Sequence, residues 1–245
     1  MIESFADETL DSILGGGLRL YQPRQGYRFS LEAILLARFA ARRGARRVLE
    51  LGAGCGVVAL ALAMLARPRE VVALEFQPAL AALIARNAAL NGLGAVRAVC
   101  ADLRNPRALG VTPDGFDLVL ANPPFRARLS GRESPEPGRR VARGEAAATL
   151  ADFVAAAARW ARHGGRAAFV FAAARSAELL SALRARRLEP KRIRFVHPSA
   201  AAPASTVLVE ARHGGGIEVT IEPPLIVYAR PGTYSDEARA LLERP

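Results

Sequence analysis

The sequence predicts an α/β fold in which a mostly parallel β-sheet carries helices on both faces. From Arg47 onward, short runs rich in valine, leucine and alanine alternate with longer helical patterns. This alternation is typical of parallel strands joined by crossover helices. A glycine-rich turn follows the first of these strands, at the position where open α/β sheets bind their ligands.

Seven strands and four connecting helices are expected in the core, each bounded by a turn or helix signal. The strands cover residues 47–51, 71–74, 96–100, 116–121, 167–172, 193–197 and 206–210. The helices cover residues 57–66, 78–91, 146–162 and 176–187. Pro78 is a typical first helical residue, Gly92 is a typical stop, and Gly164-Gly165 are expected to stop the helix over 146–162.

The chain is expected to form a single domain, because 245 residues with 51% apolar content suffice for one substantial core. Residues 1–46 are interpreted as an amino-terminal extension that forms part of the ligand site, with a helix over 31–41. Residues 47–213 are the core, and 214–245 contain a hairpin before Pro223 and a final helix. Residues 126–143 lack apolar periodicity and carry six arginines against two acids, as expected of a functional or disordered loop.

The strong positive charge favours a polyanionic partner. The net charge is +11 and the sequence pI is about 11.1. An excess of this size attracts nucleic acid through Coulomb forces and counterion release. Nucleic acid is therefore expected as a partner, and the charge alone does not identify which one.

Several classes of protein are not expected. Cys55 and Cys100 form no CxxC pair, and the three histidines lack the spacing of metal ligands, so we predict no metal site and no disulfide. The longest apolar run, Val57 to Ala66, is shorter than the ~20 residues that span a bilayer. The amino terminus is acidic and unlike a signal peptide. A cytoplasmic protein is expected, as a monomer or weak dimer.

The glycine-rich turn predicts a cofactor that carries an ammonium group rather than a pyrophosphate. The glycines Gly52, Gly54 and Gly56 follow Glu50 with the spacing Gly-x-Gly-x-Gly. A dinucleotide pattern requires its third glycine one position later, where Val57 stands. The Glu50 carboxylate would repel a pyrophosphate but could orient the ammonium of an amino acid. S-adenosylmethionine fits these requirements.

Two further acids follow the next strands and support the same cofactor. Glu75 ends the second strand and could bind the hydroxyls of a ribose. Asp102 follows the third strand and could accept a hydrogen bond from an adenine amino group. Each acid alone has a solvated alternative. Acids at three consecutive strand ends beside one glycine-rich turn favour a binding site.

The fourth strand ends in Asn122-Pro123-Pro124-Phe125, which predicts a site that methylates a planar amino group. Proline fixes its own φ and restricts the preceding residue, so the turn is rigid before substrate arrives. An amide oxygen, a backbone carbonyl and an aromatic face can hold an exocyclic nitrogen such as that of adenine. An ordinary turn is the alternative for these residues taken alone.

Together these motifs resemble the class I S-adenosylmethionine-dependent methyltransferases with an (Asn/Asp/Ser)-Pro-Pro-(Tyr/Phe/Trp) motif. More narrowly, the chain resembles the bacterial tRNA-valine (adenine-N6) methyltransferase family. The narrower resemblance includes Tyr21-Gln22-Pro23, the stretch from Gly26 to Ala33, the run from Val207 to Ala211, Leu225 to Tyr228, and Tyr234 to Glu237.

The resemblance implies a Rossmann-like, seven-stranded sheet with an antiparallel last strand. It also implies that Glu50 and the three glycines hold the methionine part of the cofactor, with S-adenosylhomocysteine as product. Asp102 and Leu103 would hold the adenine. The full set of predicted cofactor residues is Tyr27, Phe29, Glu50, Gly52, Ala53, Gly54, Gly56, Glu75, Phe76, Asp102, Leu103 and Asn122. Phe125 stands where related enzymes often have tyrosine, so stacking is kept and a hydroxyl contact is lost.

The expected reaction is N6-methylation of an adenine in tRNA, at the anticodon loop of a valine tRNA. The arginines expected to grip RNA phosphates are Arg126, Arg128, Arg139, Arg140 and Arg143. The alternatives are N5-methylation of a glutamine in a release factor, methylation of ribosomal RNA, and binding of cofactor and RNA without catalysis. Only about 46 residues precede the first core strand, which disfavours the larger amino-terminal domain of the glutamine enzymes.

Overall fold

A computed structural model describes residues 8–25, 28–42, 44–105, 107, 115–124 and 148–244. In the amino-terminal half the elements are β1 (Glu8–Ile13), β2 (Leu18–Pro23), α1 (Leu31–Ala40), β3 (Arg47–Leu51), α2 (Val57–Ala66), β4 (Glu70–Glu75), α3 (Pro78–Leu90), β5 (Val96–Cys100) and β6 (Phe116–Ala121). They are followed by α4 (Leu150–Trp160), β7 (Ala161–Ala172), a 3₁₀ turn (Ala173–Arg175), α5 (Ser176–Ala185), β8 (Leu188–His197), β9 (Thr206–His213), β10 (Thr220–Ile221), β11 (Leu225–Ile226), β12 (Tyr228–Arg230), β13 (Thr233–Tyr234) and α6 (Asp236–Glu243).

The main sheet has the strand order β10-β8-β9-β7-β6-β3-β4-β5, and β11 also pairs with β8. All neighbouring strands are parallel except β9, which runs antiparallel to both β7 and β8. The predicted seven-stranded sheet with an antiparallel last strand is confirmed. The short strands β10 and β11 extend its β8 edge to nine strands.

Alternate residues of the strands bury their side chains on opposite faces, as the pleat requires. Val48 and Leu118 join a cluster with the apolar faces of α1, α2 and α3. Leu49 and Val119 join a second cluster with α4 and α5. The largest side chain of that second cluster, Trp160, is fully buried. The two clusters form the two sides of one layered α/β structure.

Glu210 is a buried acid that links several elements on the α1 face of the sheet. It is 4% exposed and lies in β9. Its carboxylate is 2.9 Å from Arg166 of β7, 3.5 Å from Arg192 of β8 and 3.8 Å from Arg42, just after α1. The guanidinium of Arg192 also lies 4.0 Å from the ring centroid of Phe39. A buried carboxylate is stable only with such compensation.

Two boundaries differ from the sequence-based expectation. The helix predicted over 146–162 begins at Leu150, where Thr149 and Asp152 form a capping box, and it ends at Trp160. Gly164 and Gly165, which were expected to stop the helix, lie inside β7, where the pairing with β6 shifts register. Glycine suits this bulge, because Gly164 has a φ of +72°.

The carboxyl-terminal segment also differs from the expectation. The residues before Pro223 form no hairpin, because β10 adds to β8 as a parallel edge strand. The hairpin lies farther along, between β12 and β13, where Tyr228 and Tyr234 stack with ring centroids 5.2 Å apart. The expected final helix is present as α6.

Candidate active site

The carboxyl ends of four neighbouring strands meet at one edge of the sheet. Leu51 at the end of β3 pairs with Leu74 on one side and with Ala121 on the other. Glu75, at the end of β4, pairs with Cys100 at the end of β5. Residues that follow these strand ends therefore lie along one edge, which is the ligand-binding edge of open α/β sheets.

The glycine-rich turn between β3 and α2 has the backbone conformation that its sequence requires. Gly52, Gly54 and Gly56 have φ angles of +67°, +58° and +91°, which L-residues with a side chain adopt only with strain. A Cβ at Gly52 would also lie 3.0 Å from the ring of Phe153 in α4. An alanine at position 52 would therefore disturb the backbone conformation of this turn.

Glu50 is buried directly beneath this turn. It is 2% exposed, and its Oε2 accepts a 2.8 Å hydrogen bond from the backbone N–H of Ala59 in the first turn of α2. Burial raises the pKa of Glu50 from 4.5 to about 8, with partial relief from Ala59 and a further increase from the nearby Glu75 charge. In the described residues Oε1 has no donor, so this oxygen can accept a hydrogen bond from a ligand.

Glu75 braces the turn from β4. Its Oε2 accepts a 2.8 Å hydrogen bond from the backbone N–H of Gly54, and its Oε1 accepts one of 2.9 Å from Gln77. The side chain is 6% exposed. Each carboxylate oxygen has two acceptor sites, so Glu75 can hold the turn and still accept from two ligand hydroxyls.

The residues predicted to bind adenine lie beyond β4 and β5. Asp102 follows Cys100 by two residues and forms an ion pair with Arg104, whose side-chain hydrogen bonds lower the pKa of the Asp102 carboxyl group. Leu103 is buried, whereas Phe76 is 50% exposed. An ionised acceptor beside an exposed aromatic ring suits a planar heterocycle.

The predicted catalytic turn begins directly after β6. Ala121 is buried opposite Leu51, Asn122 is half-buried, Pro123 is buried and Pro124 is exposed. Asn122 has no hydrogen-bond partner among the described residues, so its side-chain amide is available to a substrate. Phe125 and the arginines predicted to bind RNA, from Arg126 to Arg143, lie outside the described residues, as does Tyr27.

Asn87 is a site residue that the sequence reasoning missed. This fully buried side chain in α3 accepts a 2.8 Å hydrogen bond from the Tyr21 N–H and donates to the carbonyl oxygens of Tyr21 and Cys55, at 2.9 and 3.0 Å. It thus joins the β1–β2 hairpin to the glycine-rich turn. One turn later, Asn91 makes the equivalent pair of bonds to Arg19. A polar residue in the apolar stripe of α3 was the available signal.

The hairpin also brings a second group of polar side chains towards the turn. Arg28 donates to Thr9 at 2.9 Å and to Asp11 at 3.2 Å, and Gln22 donates to Asp11 at 2.7 Å. The hydrogen bond from Gln22 is the largest influence that lowers the pKa of Asp11. Burial raises the pKa of the Cys55 thiol in the glycine-rich turn to about 12, and the Arg28 charge acts in the opposite direction.

Most of the predicted cofactor residues are thus brought together at one edge. Glu75 is bonded to Gly54 in the turn, Glu50 is bonded to Ala59 in the helix that follows the turn, and Asn122 follows the adjacent strand end. Phe29 packs against the core beside this region, and Ala53 lies in the turn itself. The residues from 8 to 42 supply the hairpin that supports the turn, through Asn87.

The comparisons with known proteins agree with this fold. The family model of the methyltransferase small domain matches residues 32–186. The chain therefore belongs to this family, and the prediction of a class I, S-adenosylmethionine-dependent methyltransferase is confirmed.

Two curated relatives carry the same, narrower name. A tRNA1(Val) (adenine(37)-N6)-methyltransferase from Aeromonas hydrophila is 29% identical over 208 residues, covering 84% of this chain and 84% of that one. A protein of the same name from Bacteroides thetaiotaomicron is 34% identical over 96 residues, or 38% of this chain and 39% of that one. The resemblance stated from the sequence is confirmed by these relatives.

Solved structures show the same fold. A predicted O-methyltransferase from Agrobacterium tumefaciens superposes with a TM-score of 0.70 at 23% identity, covering 85% of this chain and 94% of that one. TrmN from Thermus thermophilus superposes with a TM-score of 0.53 at 24% identity, covering 74% of this chain and 48% of that one.

Within the part of the chain that the structure describes, no group of three or more His, Cys, Asp and Glu side chains could hold a metal ion. None of the described helices is long and apolar enough to cross a membrane.

Proposed function

We propose that this protein methylates the N6 amino group of an adenine in tRNA, with S-adenosylmethionine as methyl donor. The observation that supports the proposal is the position of Asn122-Pro123-Pro124 directly after β6, next to the strand end of β3 where Glu50 lies and the glycine-rich turn begins. The residues proposed to hold the cofactor and those proposed to accept a planar amino group therefore follow neighbouring strand ends.

The residues at this edge suit the methyl donor. Glu50, ionised, would accept from the ammonium of its methionine part, and the glycine-rich turn leaves room for the chain beside it. Glu75 would hold the ribose hydroxyls, and Asp102, Leu103 and Phe76 the adenine. When bound, the cofactor supplies an electrophilic methyl group on a sulfonium.

The acceptor side of the reaction requires positioning and charge stabilisation. An adenine amino nitrogen is a weak nucleophile, because its lone pair is delocalised into the ring. The Asn122 side-chain oxygen and the Pro123 carbonyl would accept its two N–H bonds, aim the lone pair at the methyl and stabilise the positive charge that builds up on nitrogen. Phe125 would stack on the extruded base, which contributes ~1–3 kcal/mol.

Three observations support tRNA as the substrate. The two curated relatives are named for adenine-37 of tRNA1(Val). The net charge of +11 favours RNA. A base in a loop leaves its stack more easily than one in a duplex. We propose that Arg126, Arg128, Arg139, Arg140 and Arg143 grip phosphates beside the site and that the protein acts in the cytoplasm as one domain.

The test is methylation of bulk tRNA from a strain that lacks this enzyme. The tRNA is incubated with the protein and labelled cofactor, and its nucleosides are analysed by mass spectrometry. We expect labelled N6-methyladenosine. A second reaction contains a release factor in place of tRNA, because an amide nitrogen presents the same chemical problem as the adenine amino group.

The two reactions separate the possible outcomes. Labelled N6-methyladenosine in tRNA supports the proposal. Label in the release factor alone would replace it with glutamine N5-methylation. Cofactor binding without turnover on either substrate would contradict the proposed methylation of tRNA.

A further inference from the structure

A basic groove lies at the edge of the sheet opposite the candidate active site. Its volume is about 750 Å³, and its walls are residues 44–46, just before β3, and residues 64–69, just before β4. Three of the lining side chains are the exposed arginines Arg46, Arg67 and Arg69. Because β3 and β4 are parallel, both segments lie at the amino ends of the strands, whereas the cofactor residues lie at their carboxyl ends.

The acids near this groove are already occupied by other arginines. Glu70 pairs with Arg47 at 3.0 Å and with Arg97 at 3.6 Å. Asp117 accepts the backbone N–H groups of Arg46 and Arg47 and pairs with Arg162 at 2.7 Å. Neither carboxylate therefore remains to neutralise a further guanidinium in the groove.

The three groove arginines have no such compensation. Among the described residues, no ion pair or hydrogen bond involves the side chain of Arg46, Arg67 or Arg69. Arg67 follows α2 with a φ of +49°, a left-handed conformation that is uncommon for a residue with a long side chain. The buried Pro68 and the half-buried Met64 also line the groove. The lining thus combines apolar side chains with free positive charge, and guanidinium groups suit phosphate well.

We propose that this groove binds phosphates of the substrate RNA, as a second contact surface beyond the active site. The proposal rests on RNA being the substrate. A strand of five or six residues is roughly 16–20 Å long, so one RNA must extend past its reactive loop to touch both edges. The groove would therefore contact the folded RNA beyond its anticodon stem-loop and distinguish a whole tRNA from an isolated stem-loop.

The test is RNA binding by a double variant, Arg67→Gln with Arg69→Gln. Fluorescently labelled bulk tRNA and a short anticodon stem-loop are titrated by anisotropy between 50 and 200 mM KCl, about the range over which phosphate contacts dominate salt dependence. For whole tRNA we expect about tenfold weaker binding and a log–log salt slope reduced by about 1–2. For the stem-loop we expect less than about twofold change.

The matched control is Arg186→Gln with Arg187→Gln. These arginines are also exposed, have no ion pair in the described structure and precede β8, and Arg187 has a φ of +59°. We expect about native tRNA affinity for this control. Both variants should keep native affinity for S-adenosylhomocysteine by calorimetry, which verifies folding at the other edge.

The outcomes distinguish specific RNA binding in the groove from a general effect of positive charge. RNA binding in the groove would be contradicted by equal losses of affinity in the two double variants, by equal losses for tRNA and stem-loop, or by no loss at all. Selective loss in Arg67→Gln with Arg69→Gln supports it even if no tRNA nucleoside is methylated, in which case only the proposed reaction fails. Native tRNA binding by this variant, with normal N6-methyladenosine formation, would overturn the groove and leave the reaction standing.

Discussion

Glu50 is the residue whose protonation state matters most for the cofactor pocket. Its carboxyl group is buried, and its pKa is raised from 4.5 to about 8. At neutral pH this carboxyl group is therefore largely neutral. An ammonium group that pairs with Oε1 would favour the ionised form, so that cofactor binding releases a proton.

The first prediction is that cofactor affinity increases as the pH rises towards 8. Binding measured by calorimetry in buffers of different ionisation enthalpy should show release of up to one proton per cofactor near pH 7. In Glu50→Gln this proton release should vanish and affinity should fall about 10–100-fold, the cost of losing a charge-assisted hydrogen bond. An unchanged pH profile in the variant would contradict the role of Glu50.

The same pKa predicts a pH-dependent stability of the empty protein. Because the folded-state pKa lies above the unfolded value, the unfolded state releases the Glu50 proton first as pH rises. The free energy of unfolding should therefore fall between about pH 4.5 and 8 through this group. Urea unfolding at several pH values should show a flatter profile for Glu50→Gln than for the native protein.

Asn122 is predicted to act on the rate rather than on cofactor binding. Asn122→Ala should lower kcat by about 10²–10³, by analogy with loss of an oxyanion-hole donor. The affinity for S-adenosylhomocysteine should stay native, because Glu75 holds the glycine-rich turn and Glu50 is held by α2, both without Asn122. Near-native methyl transfer by a folded variant would exclude the proposed mechanism.

Residue types near the site were predictable where their role follows from a strand end. Glu50, Glu75 and Asn122 each lie at or directly after a strand, and parallel strands bring such positions to one edge. The pairing of Asp102 with Arg104 was not predicted, because a generic strand-end acid gives no indication of its local partner. Asn87 was missed because its partners, Tyr21 and Cys55, lie 66 and 32 residues away in the chain.

At the scale of elements, two asparagines allow a helix to bind the backbone of a strand. Asn87 lies in α3, and Asn91 directly follows it. Asn87 and Asn91 are one turn apart and contact alternate residues of β2, Tyr21 and Arg19. The amide side chains thus substitute for a neighbouring strand along this edge of β2. Arg86 adds a bidentate ion pair with Glu8, at 2.7 and 3.0 Å.

The two asparagines should differ in their effect on the active site. Asn87→Ala leaves buried backbone groups unpaired and should cost about 3 kcal/mol of stability. It should also weaken cofactor binding, because the Cys55 carbonyl loses its donor. Asn91→Ala is the matched control, since it lies in a more exposed position and does not reach the turn; we expect a cost of about 1 kcal/mol and native cofactor affinity. Urea unfolding and calorimetry measure the two quantities.

Element types were predictable where periodicity and turn signals agreed, as for β3, α2 and α3. The end of α4 was wrong because Gly164 and Gly165 can serve a bulge as well as a helix stop, and only the partner strand β6 decides between them. The strands β10 and β11 were not predicted because two-residue strands contain no usable period. Their pairing depends on the position of β8.

At the scale of the molecule, Glu210 in β9 connects segments that are far apart in the chain. It pairs with Arg42, just after α1, and with Arg166 of β7 and Arg192 of β8. Glu210→Gln removes the charge that compensates Arg166 and Arg192 inside the structure, and we expect a loss of about 3 kcal/mol in the free energy of unfolding. Glu70→Gln is the control, because Glu70 is 31% exposed and pairs with Arg47 and Arg97 near the surface. Its cost should be below about 1 kcal/mol. Equal costs would exclude a special role for burial.

The strand order of the whole sheet could be expected from the resemblance but not from the strand patterns alone. Valine-rich and alanine-rich runs identify buried strands without stating their neighbours. In particular, nothing local in residues 206–213 shows that they run antiparallel between β7 and β8.

This strand order has a consequence for synthesis on the ribosome. In the described structure β8 is joined to β7 and the inner strands only through β9, which follows it in the chain. Until residues 206–213 have emerged, β7 therefore has one open edge, and β8 lacks its partner strand β9. Exposed edges of this kind invite pairing with other chains. We therefore expect these two strands of the nascent protein to be exposed to such pairing until the last core strand arrives.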